Sequence, residues 1–210
     1  MSSRRSANHY LWFDTEYSTL DLENAKLLQV AMLVTDAKLK RLHPPEEDVN
    51  VFIRFDGTPA AWVQENLAPL VETCKSDQAI SVEESDTALA EYIDKYFGAP
   101  SKEIRLRPML AGNSIHADWF LVRRFLPKLM DRVHYRLLDV TTVKMEWLRW
   151  FKGSSFDKEN PVQVRRYFPG ALISQDLGPH DAYYDIQASV AELSFYRSGL
   201  TKVVPQKANT

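Results

Sequence analysis

Residues 10–16 read Y-L-W-F-D-T-E, an apolar and aromatic run that passes into two acids. Aromatic and aliphatic side chains in so short a run predict a buried β-strand over residues 10–14. Side chains two positions apart in a strand project from the same face, about 6.5–7 Å apart, so Asp14 and Glu16 should lie side by side. Two such carboxylates repel each other unless a cation or a proton lies between them. The alternative is a solvated strand end, because a second D-x-E triplet occurs at residues 21–23.

Further strands and helices are predicted on both sides of this run. Strands are predicted at residues 27–35, 49–55, 109–111 and 133–140. Helices are predicted at residues 59–73, 82–97, 116–126, 141–151, 162–168 and 181–197. Three early strands, followed by helices that alternate with two more strands, predict an α/β domain with a mixed sheet. We expect one domain at residues 10–198, with flexible segments at residues 1–9 and 199–210.

The composition excludes several classes of protein. Apolar residues make up 45% and charged residues 26% of the 210 residues, which excludes a disordered or collagen-like chain. Cys74 is the only cysteine, so neither an intramolecular disulfide nor a cysteine zinc cluster can form. The longest apolar stretch is too short to cross a membrane. We expect a soluble protein of the cytoplasm, with the mitochondrion as the alternative, because Arg4 and Arg5 stand among serines with no acid before Asp14.

Charge is unevenly distributed along the chain. Residues 1–100 carry 9 Lys and Arg against 17 Asp and Glu, whereas residues 101–210 carry 17 against 11. A basic second half favours a polyanionic partner, although two ordinary solvated surfaces would give the same counts.

A second polar group follows the predicted strand at residues 109–111. Residues 112–118 read G-N-S-I-H-A-D, so small and polar residues leave the strand and Asp118 falls in the first turn of the next helix. An acid at this position also interacts favourably with the helix dipole, and that purely structural role is the alternative to a ligand role.

A third polar group lies at the start of the last predicted helix. Residues 178–185 read G-P-H-D-A-Y-Y-D, with His180 in the loop and Asp185 just over one turn inside the helix. A loop histidine that faces a carboxylate suits proton abstraction from a metal-bound water. His–Asp pairs with the same spacing also occur at residues 9–14 and 134–139, so a helix-capping histidine with a surface acid is the alternative.

The three groups together supply four carboxylates and one imidazole, and no thiolate. Their members are Asp14, Glu16, Asp118, Asp185 and His180. Such an oxygen-rich set favours Mg²⁺ or Mn²⁺ over zinc. Two such ions about 3.5–4 Å apart can activate a water and stabilise the departing oxygen of a phosphodiester.

With these residues in place, the sequence resembles the DEDDh 3′–5′ exonuclease family, and within it the oligoribonuclease group. The opening at residues 11–21, L-W-F-D-T-E-Y-S-T-L-D, is similar to the family's D-x-E-M-T-G-L-D. Further matches, in the same order, are A-M-L-V-T-D at 31–36, G-N-S-I at 112–115, H-Y-R at 134–136, L-D-V at 138–140 and S-V-A-E-L at 189–193. The H-Y-R and S-V-A-E-L blocks are specific to the oligoribonuclease group, and the similarity runs from about residue 10 to residue 198.

The resemblance implies an RNase H-like α/β fold, with a mixed five-stranded sheet flanked by helices. It also implies a homodimer that removes 5′-mononucleotides from very short single-stranded RNA and finishes with dinucleotides. Carried over residue by residue, Asp14, Glu16, Asp118 and Asp185 would bind two Mg²⁺ or Mn²⁺ ions. His180 would be the general base.

The resemblance also assigns contacts with the substrate. The residues that would make them are Leu20, Trp62, Ser114, Tyr135, Arg136 and Thr141. Leu20 would wedge against the bases and Trp62 would stack on one of them. The serine, the threonine and the arginine would hold the 5′ phosphate of a dinucleotide, and Tyr135 and Arg136 would reach across from the partner subunit.

Three departures from the family pattern leave substrate length and base preference open. The chain lacks the family's glycine between Glu16 and Leu20, no acid precedes Trp62 directly, and residues 151–179 are longer and carry extra Lys and Arg. Two alternatives follow. One is a DEDDh trimming or proofreading exonuclease that acts on longer RNA or DNA, and the other is a nuclease-like subunit of a larger RNA assembly that binds without cleaving. Loss of an acid or of the histidine would favour the second, and none is lost.

Overall fold

The strand that carries Asp14 and Glu16 is the central strand of a five-stranded sheet in the computed structural model, which describes residues 9–151, 155–174 and 178–203. The strands are β1 (His9–Tyr17), β2 (Leu27–Asp36), β3 (Val49–Phe52), β4 (Met109–Gly112) and β5 (Leu137–Asp139). They lie in the order β3-β2-β1-β4-β5, with β1–β2 and β2–β3 antiparallel and β1–β4 and β4–β5 parallel. The predicted mixed five-stranded sheet is confirmed.

Helices cover both faces of this sheet. They are α1 (Ala61–Asn66), α2 (Ala68–Lys75), α3 (Val82–Phe97), α4 (His116–Phe125), α5 (Pro127–Met130), α6 (Val140–Trp150), α7 (Pro161–Tyr167) and α8 (Ala182–Val203). Ser81 and Glu84 form a capping box at the start of α3. Over the part of the chain that the structure describes, no helix combines the length and the apolar character that a membrane crossing requires.

Alternate side chains of β1 enter two different cores. Leu11 and Phe13 are fully buried and belong to a core that includes residues of α3 and α4. Trp12 belongs to the other core, which α8 dominates. Since side chains two apart share a face, Asp14 and Glu16 project to the same side as Trp12. The sheet therefore presents its central acids towards α8, which contacts both β1 and β2.

The boundaries of β1, β3 and β5 differ from the predictions, and β3 ends at Phe52 instead of residue 55. β1 was predicted to end at residue 14 but continues to Tyr17, because it stays paired with β2 to the end. Asp14 and Glu16 therefore lie inside the strand. β5 is shorter than predicted, because only three residues of β4 pair with it. Before β5, the backbone N–H of Arg136 donates to the His134 ring, 2.8 Å away, instead of to a neighbouring strand.

Two helix predictions also need correction. The helix predicted at residues 59–73 is divided at Leu67 into α1 and α2, because Pro69 has no N–H with which to continue the first helix. Helix α8 continues past its predicted end at residue 197 to Val203, so the first part of the expected C-terminal tail is helical. Residues 1–8 and 204–210 lie outside the described residues.

Candidate active site

The predicted acids gather where the carboxyl ends of β1 and β4 meet the first turn of α8. They line a cavity of about 460 Å³, here called the acidic cavity. Its lining includes Asp14, Glu16, Asp118, His180 and Asp185. Gly112 contributes through its lack of a side chain, because a Cβ there would lie 2.7 Å from the carbonyl oxygen of Phe13. The end of β4 can therefore pass close to β1, and the residues that follow it arrive beside Asp14.

Burial, together with repulsion from neighbouring carboxylates, raises the pKa values of Asp14, Glu16 and Asp118. Burial raises the pKa of Asp14 well above its ordinary value, and the charges of Asp118, Asp185 and Glu16 raise it further. Burial is also the main cause that raises the pKa of Glu16 to about 8, followed by the charge of Asp185. The pKa of Asp118 rises to about 7 through burial, although the hydrogen bond from Thr15 opposes the change. A divalent cation bound among such acids would relieve the repulsion between their ionised forms and so favour loss of their protons.

Asp118 occupies the first turn of α4 but does not face solvent. It is only 4% exposed, and its Oδ1 accepts a hydrogen bond from the hydroxyl of Thr15 at 2.7 Å. The structure therefore places Asp118 among the other acids. A residue that served only to interact with the helix dipole could lie on the solvated side of the helix, and Asp118 does not.

The first turn of α8 is attached to the sheet through Gln29, the cross-strand partner of Glu16. The Gln29 amide donates to Oδ2 of Asp181 and accepts from the backbone N–H of Ala182, both at 3.1 Å. The other carboxylate oxygen of Asp181 caps the helix by accepting from the backbone N–H groups of residues 183 and 184. Ala182 is fully buried, and its small side chain lets the start of α8 pack closely against the sheet.

His180 lies at the mouth of the acidic cavity. Its backbone has φ +65°, a left-handed conformation that is uncommon for a residue with a side chain. The backbone N–H donates to Oδ2 of Asp185 at 3.0 Å, which fixes the loop against the helix. Glu16, His180 and Asp185 each offer a ligand atom within 4.8 Å of the others. This spacing suits one shared metal ion.

Two of the predicted substrate residues project into the same cavity as large exposed side chains. Leu20 is 86% exposed and Trp62 is 49% exposed, and both line the acidic cavity. The Trp62 ring meets the ring of His180 edge to face, with the centroids 5.2 Å apart. Apolar side chains so exposed beside polar groups offer a surface on which a base can stack.

The remaining predicted substrate residues divide into two groups. Ser114 lines the acidic cavity, and its backbone N–H donates to Oγ1 of Thr141 at 2.9 Å, so these two hydroxyl residues are neighbours. Tyr135 and Arg136 are exposed and stack on each other, with the guanidinium carbon 5.6 Å from the ring centroid. Neither is part of the lining of the acidic cavity in its own chain.

Lys158 is a cavity residue that sequence reasoning missed. Its ammonium donates to Oδ1 of Asp185 at 3.1 Å. Burial lowers the pKa of Lys158, but the charges of Asp185, Asp14 and Glu192 outweigh that effect and raise it above the ordinary value. The only sequence signal was the excess of Lys and Arg in residues 151–179, which did not distinguish this lysine from its neighbours.

Comparison with known proteins agrees with this arrangement. The family model described as exonuclease, RNase_T, matches residues 11–193. The oligoribonuclease of Francisella tularensis (strain WY96-3418) is 28% identical over 211 residues, covering 95% of this chain and 99% of that protein. A probable oligoribonuclease of Schizosaccharomyces pombe is 30% identical over 195 residues, covering 90% of this chain and 67% of that protein.

A solved structure supports the fold independently. Exonuclease I from Methylocaldum szegediense superposes with a TM-score of 0.64 at 16% identity, over 93% of this chain and 42% of that chain. This likeness confirms the RNase H-like fold that the sequence resemblance implied. Because the family match spans nearly all of the described domain, and relatives align along most of the chain, the chain belongs to the exonuclease family RNase_T, as an oligoribonuclease-like DEDDh exonuclease.

Proposed function

We propose that this exonuclease degrades very short single-stranded RNA from the 3′ end, down to dinucleotides, and releases 5′-mononucleotides. The observation that carries the proposal is the acidic cavity, where the four acids and His180 adjoin the exposed Leu20 and Trp62. Its volume of about 460 Å³ lies in the range of sites for small ligands. A dinucleotide suits such a site better than a long strand does. The names of the two oligoribonuclease relatives point the same way.

The acids would hold two Mg²⁺ or Mn²⁺ ions. Carboxylate oxygens are the ligands that these hard cations prefer. Burial raises the pKa values of Asp14, Glu16 and Asp118, and at Asp14 and Glu16 the neighbouring carboxylates raise them further. Asp185 completes the set from α8. The chemistry that such ions supply when bound is activation of a water and stabilisation of negative charge on the departing oxygen.

The chain's own residues would position the substrate and move the proton. His180 would accept a proton from the attacking water, because its ring borders the acidic cavity and its backbone is fixed to Asp185. The water oxygen would bond to phosphorus while the bond from phosphorus to the 3′ oxygen of the preceding nucleotide breaks. The terminal nucleotide would then leave with a 5′ phosphate. Trp62 would stack on its base, and Leu20 would wedge beside the preceding base.

We also propose that the protein acts as a homodimer in which Tyr135 and Arg136 complete the partner's site. Both side chains are exposed and lie outside their own acidic cavity. Helix α6, which follows directly after β5, exposes Met145, Leu148 and Trp150 by 47%, 48% and 71%. Large apolar side chains exposed together are typical of a contact surface. Across such an interface, Arg136 would join Ser114 and Thr141 at the 5′ phosphate.

The test is a cleavage assay on end-labelled RNAs of two, five and twenty nucleotides, with Mg²⁺, with Mn²⁺ and with EDTA. We expect rapid metal-dependent cleavage of the two shorter RNAs, with 5′-mononucleotides as products. Preferential shortening of the twenty-nucleotide RNA would instead assign a trimming exonuclease. Tight RNA binding without cleavage in any metal would assign a non-cleaving subunit.

A further inference from the structure

The acidic cavity is lined by a lysine side chain, that of Lys158, which has no role in the catalytic steps proposed above. Among the described residues that line it, Lys158 is the only lysine or arginine. Its ammonium contacts Oδ1 of Asp185, while its side chain remains 36% exposed. The cation therefore lies between a proposed metal ligand and open space.

The backbone of Lys158 is held firmly, whereas its side chain is free to turn. The hydroxyl of Tyr184, on α8, donates to the carbonyl oxygen of Lys158 at 2.7 Å. Two residues earlier, Phe156 is 4% exposed and belongs to the core beneath α8. Two residues later, Asn160 caps α7. Anchored on both sides, the residue keeps its place at the cavity while four methylene groups let the ammonium move.

We propose that Lys158 binds the phosphate of the terminal nucleotide, and that its ammonium moves there from Asp185 when a divalent cation takes that carboxylate. The inference rests on the proposed function. Four ionised carboxylates balance two divalent cations, so the charge of the phosphodiester still needs a partner. A divalent cation and an ammonium that share one carboxylate repel each other, which favours departure of the ammonium. Within the described lining, Lys158 is the only lysine or arginine that could pair with this charge.

The test measures binding of AMP and of adenosine by calorimetry at saturating Mn²⁺, because neither ligand is cleaved. The variants are Lys158→Met and Lys158→Gln, the second of which keeps a hydrogen-bond donor near Asp185 if the first does not fold. The matched control is Lys144→Met. Lys144 has a similarly exposed side chain, 39%, and also lies near a buried carboxylate, with its Nζ 3.7 Å from Glu192, but it is not part of the cavity lining.

We expect the preference for AMP over adenosine to fall roughly tenfold to hundredfold in both Lys158 variants, the scale of a charge-assisted hydrogen bond. Affinity for adenosine should stay unchanged, and Lys144→Met should bind both ligands as the wild type does. An unchanged AMP preference in the folded Lys158 variants, an equal loss for both ligands, or an equal effect in Lys144→Met would overturn the inference. Wild-type cleavage of short RNA is measured separately, so a failure here leaves the proposed function standing.

Discussion

At the scale of single residues, Asp14 is the acid whose pKa is raised by burial and then by the charges of all three other carboxylates. Replacing it with Asn keeps the shape of the side chain and removes its charge. We expect kcat on a dinucleotide to fall at least about a thousandfold, since the lost metal interaction amounts to several kcal/mol of barrier. The melting temperature in EDTA at alkaline pH should rise, because one repelling charge is gone.

The control for Asp14→Asn is Asp21→Asn, which changes the exposed acid of the other D-x-E triplet. This variant should keep both the wild-type rate and the wild-type melting temperature. A folded Asp14→Asn enzyme with a near-normal rate would show that the metal assignment is wrong.

His180 carries the second prediction at this scale. His180→Ala should lower kcat by roughly 10²–10⁴, the usual contribution of a general base. Part of the activity should return at high pH, where hydroxide replaces the base. The measurement is a pH–rate profile for both proteins. Profiles of identical shape would contradict the role of His180, whatever the size of the loss.

At the scale of elements, Gln29 joins β2 to the start of α8 and so positions His180 and Asp185 against Glu16. Gln29→Ala removes the amide that donates to Asn50 and Asp181 and accepts from the backbone of Ala182, and so leaves buried polar groups without this partner. We expect a loss of about 1–3 kcal/mol in the free energy of unfolding. We also expect a fall in kcat larger than any change in KM, because the loop carries the proposed base. Denaturant titration and steady-state kinetics measure the two effects.

Gln78→Ala, at an exposed glutamine, is the control for Gln29→Ala and should change neither quantity. If Gln29→Ala lost stability but kept the wild-type kcat, Gln29 would have only a structural role.

Some of these elements follow from local sequence, and others depend on contacts between distant parts of the chain. The strand at residues 10–14 and the helix that begins after Ser81 depend on local apolar patterns and a local cap, and both were found. The length of β5 depends on how many residues of β4 pair with it. Such pairing involves two strands, so it cannot be predicted from the sequence of one strand alone. Asp118 and Asp185 could be named because they follow recognisable breaks in the chain. Lys158 and Gln29 could not, since their roles depend on partners 27 and 152 residues away.

At the scale of the whole molecule, the raised pKa values of the acids link stability to pH. In the folded protein Glu16 and Asp118 hold protons up to about pH 8 and about pH 7, whereas in the unfolded chain they release them near pH 4. Their contribution to stability is therefore fully present below about pH 4 and is lost as the pH rises to about 8. We expect the free energy of unfolding in EDTA to fall between about pH 5 and pH 8.

Calorimetric melts across this pH range, with EDTA and with Mn²⁺, measure the effect. Saturating Mn²⁺ should reverse the trend, because the metal binds the deprotonated acids of the folded state. A melting temperature in EDTA that rises steadily from pH 5 to pH 8 would contradict the crowding of charges described here.

The proposed dimer links assembly to substrate length. If Arg136 of one subunit holds the 5′ phosphate bound in the other, Arg136→Ala should weaken kcat/KM for pApA by roughly 10- to 150-fold, the range of a charge-assisted hydrogen bond. A seven-nucleotide RNA and unphosphorylated ApA should be affected far less. The variant should remain dimeric by light scattering. An equal loss on all three RNAs, or none on any, would refute the length-gauge role of Arg136.

The positions of the site residues along the chain also determine when the site can form during synthesis. Asp14 and Glu16 emerge from the ribosome early, Asp118 near the middle, and His180 and Asp185 only with α8. The loop before α8 supplies the proposed base and the first turn of α8 supplies the fourth acid, so a nascent chain that has not yet released this helix has an incomplete site. A chain on which α8 has not yet been made should therefore lack nuclease activity, which would keep it from cutting RNA before that helix has left the ribosome.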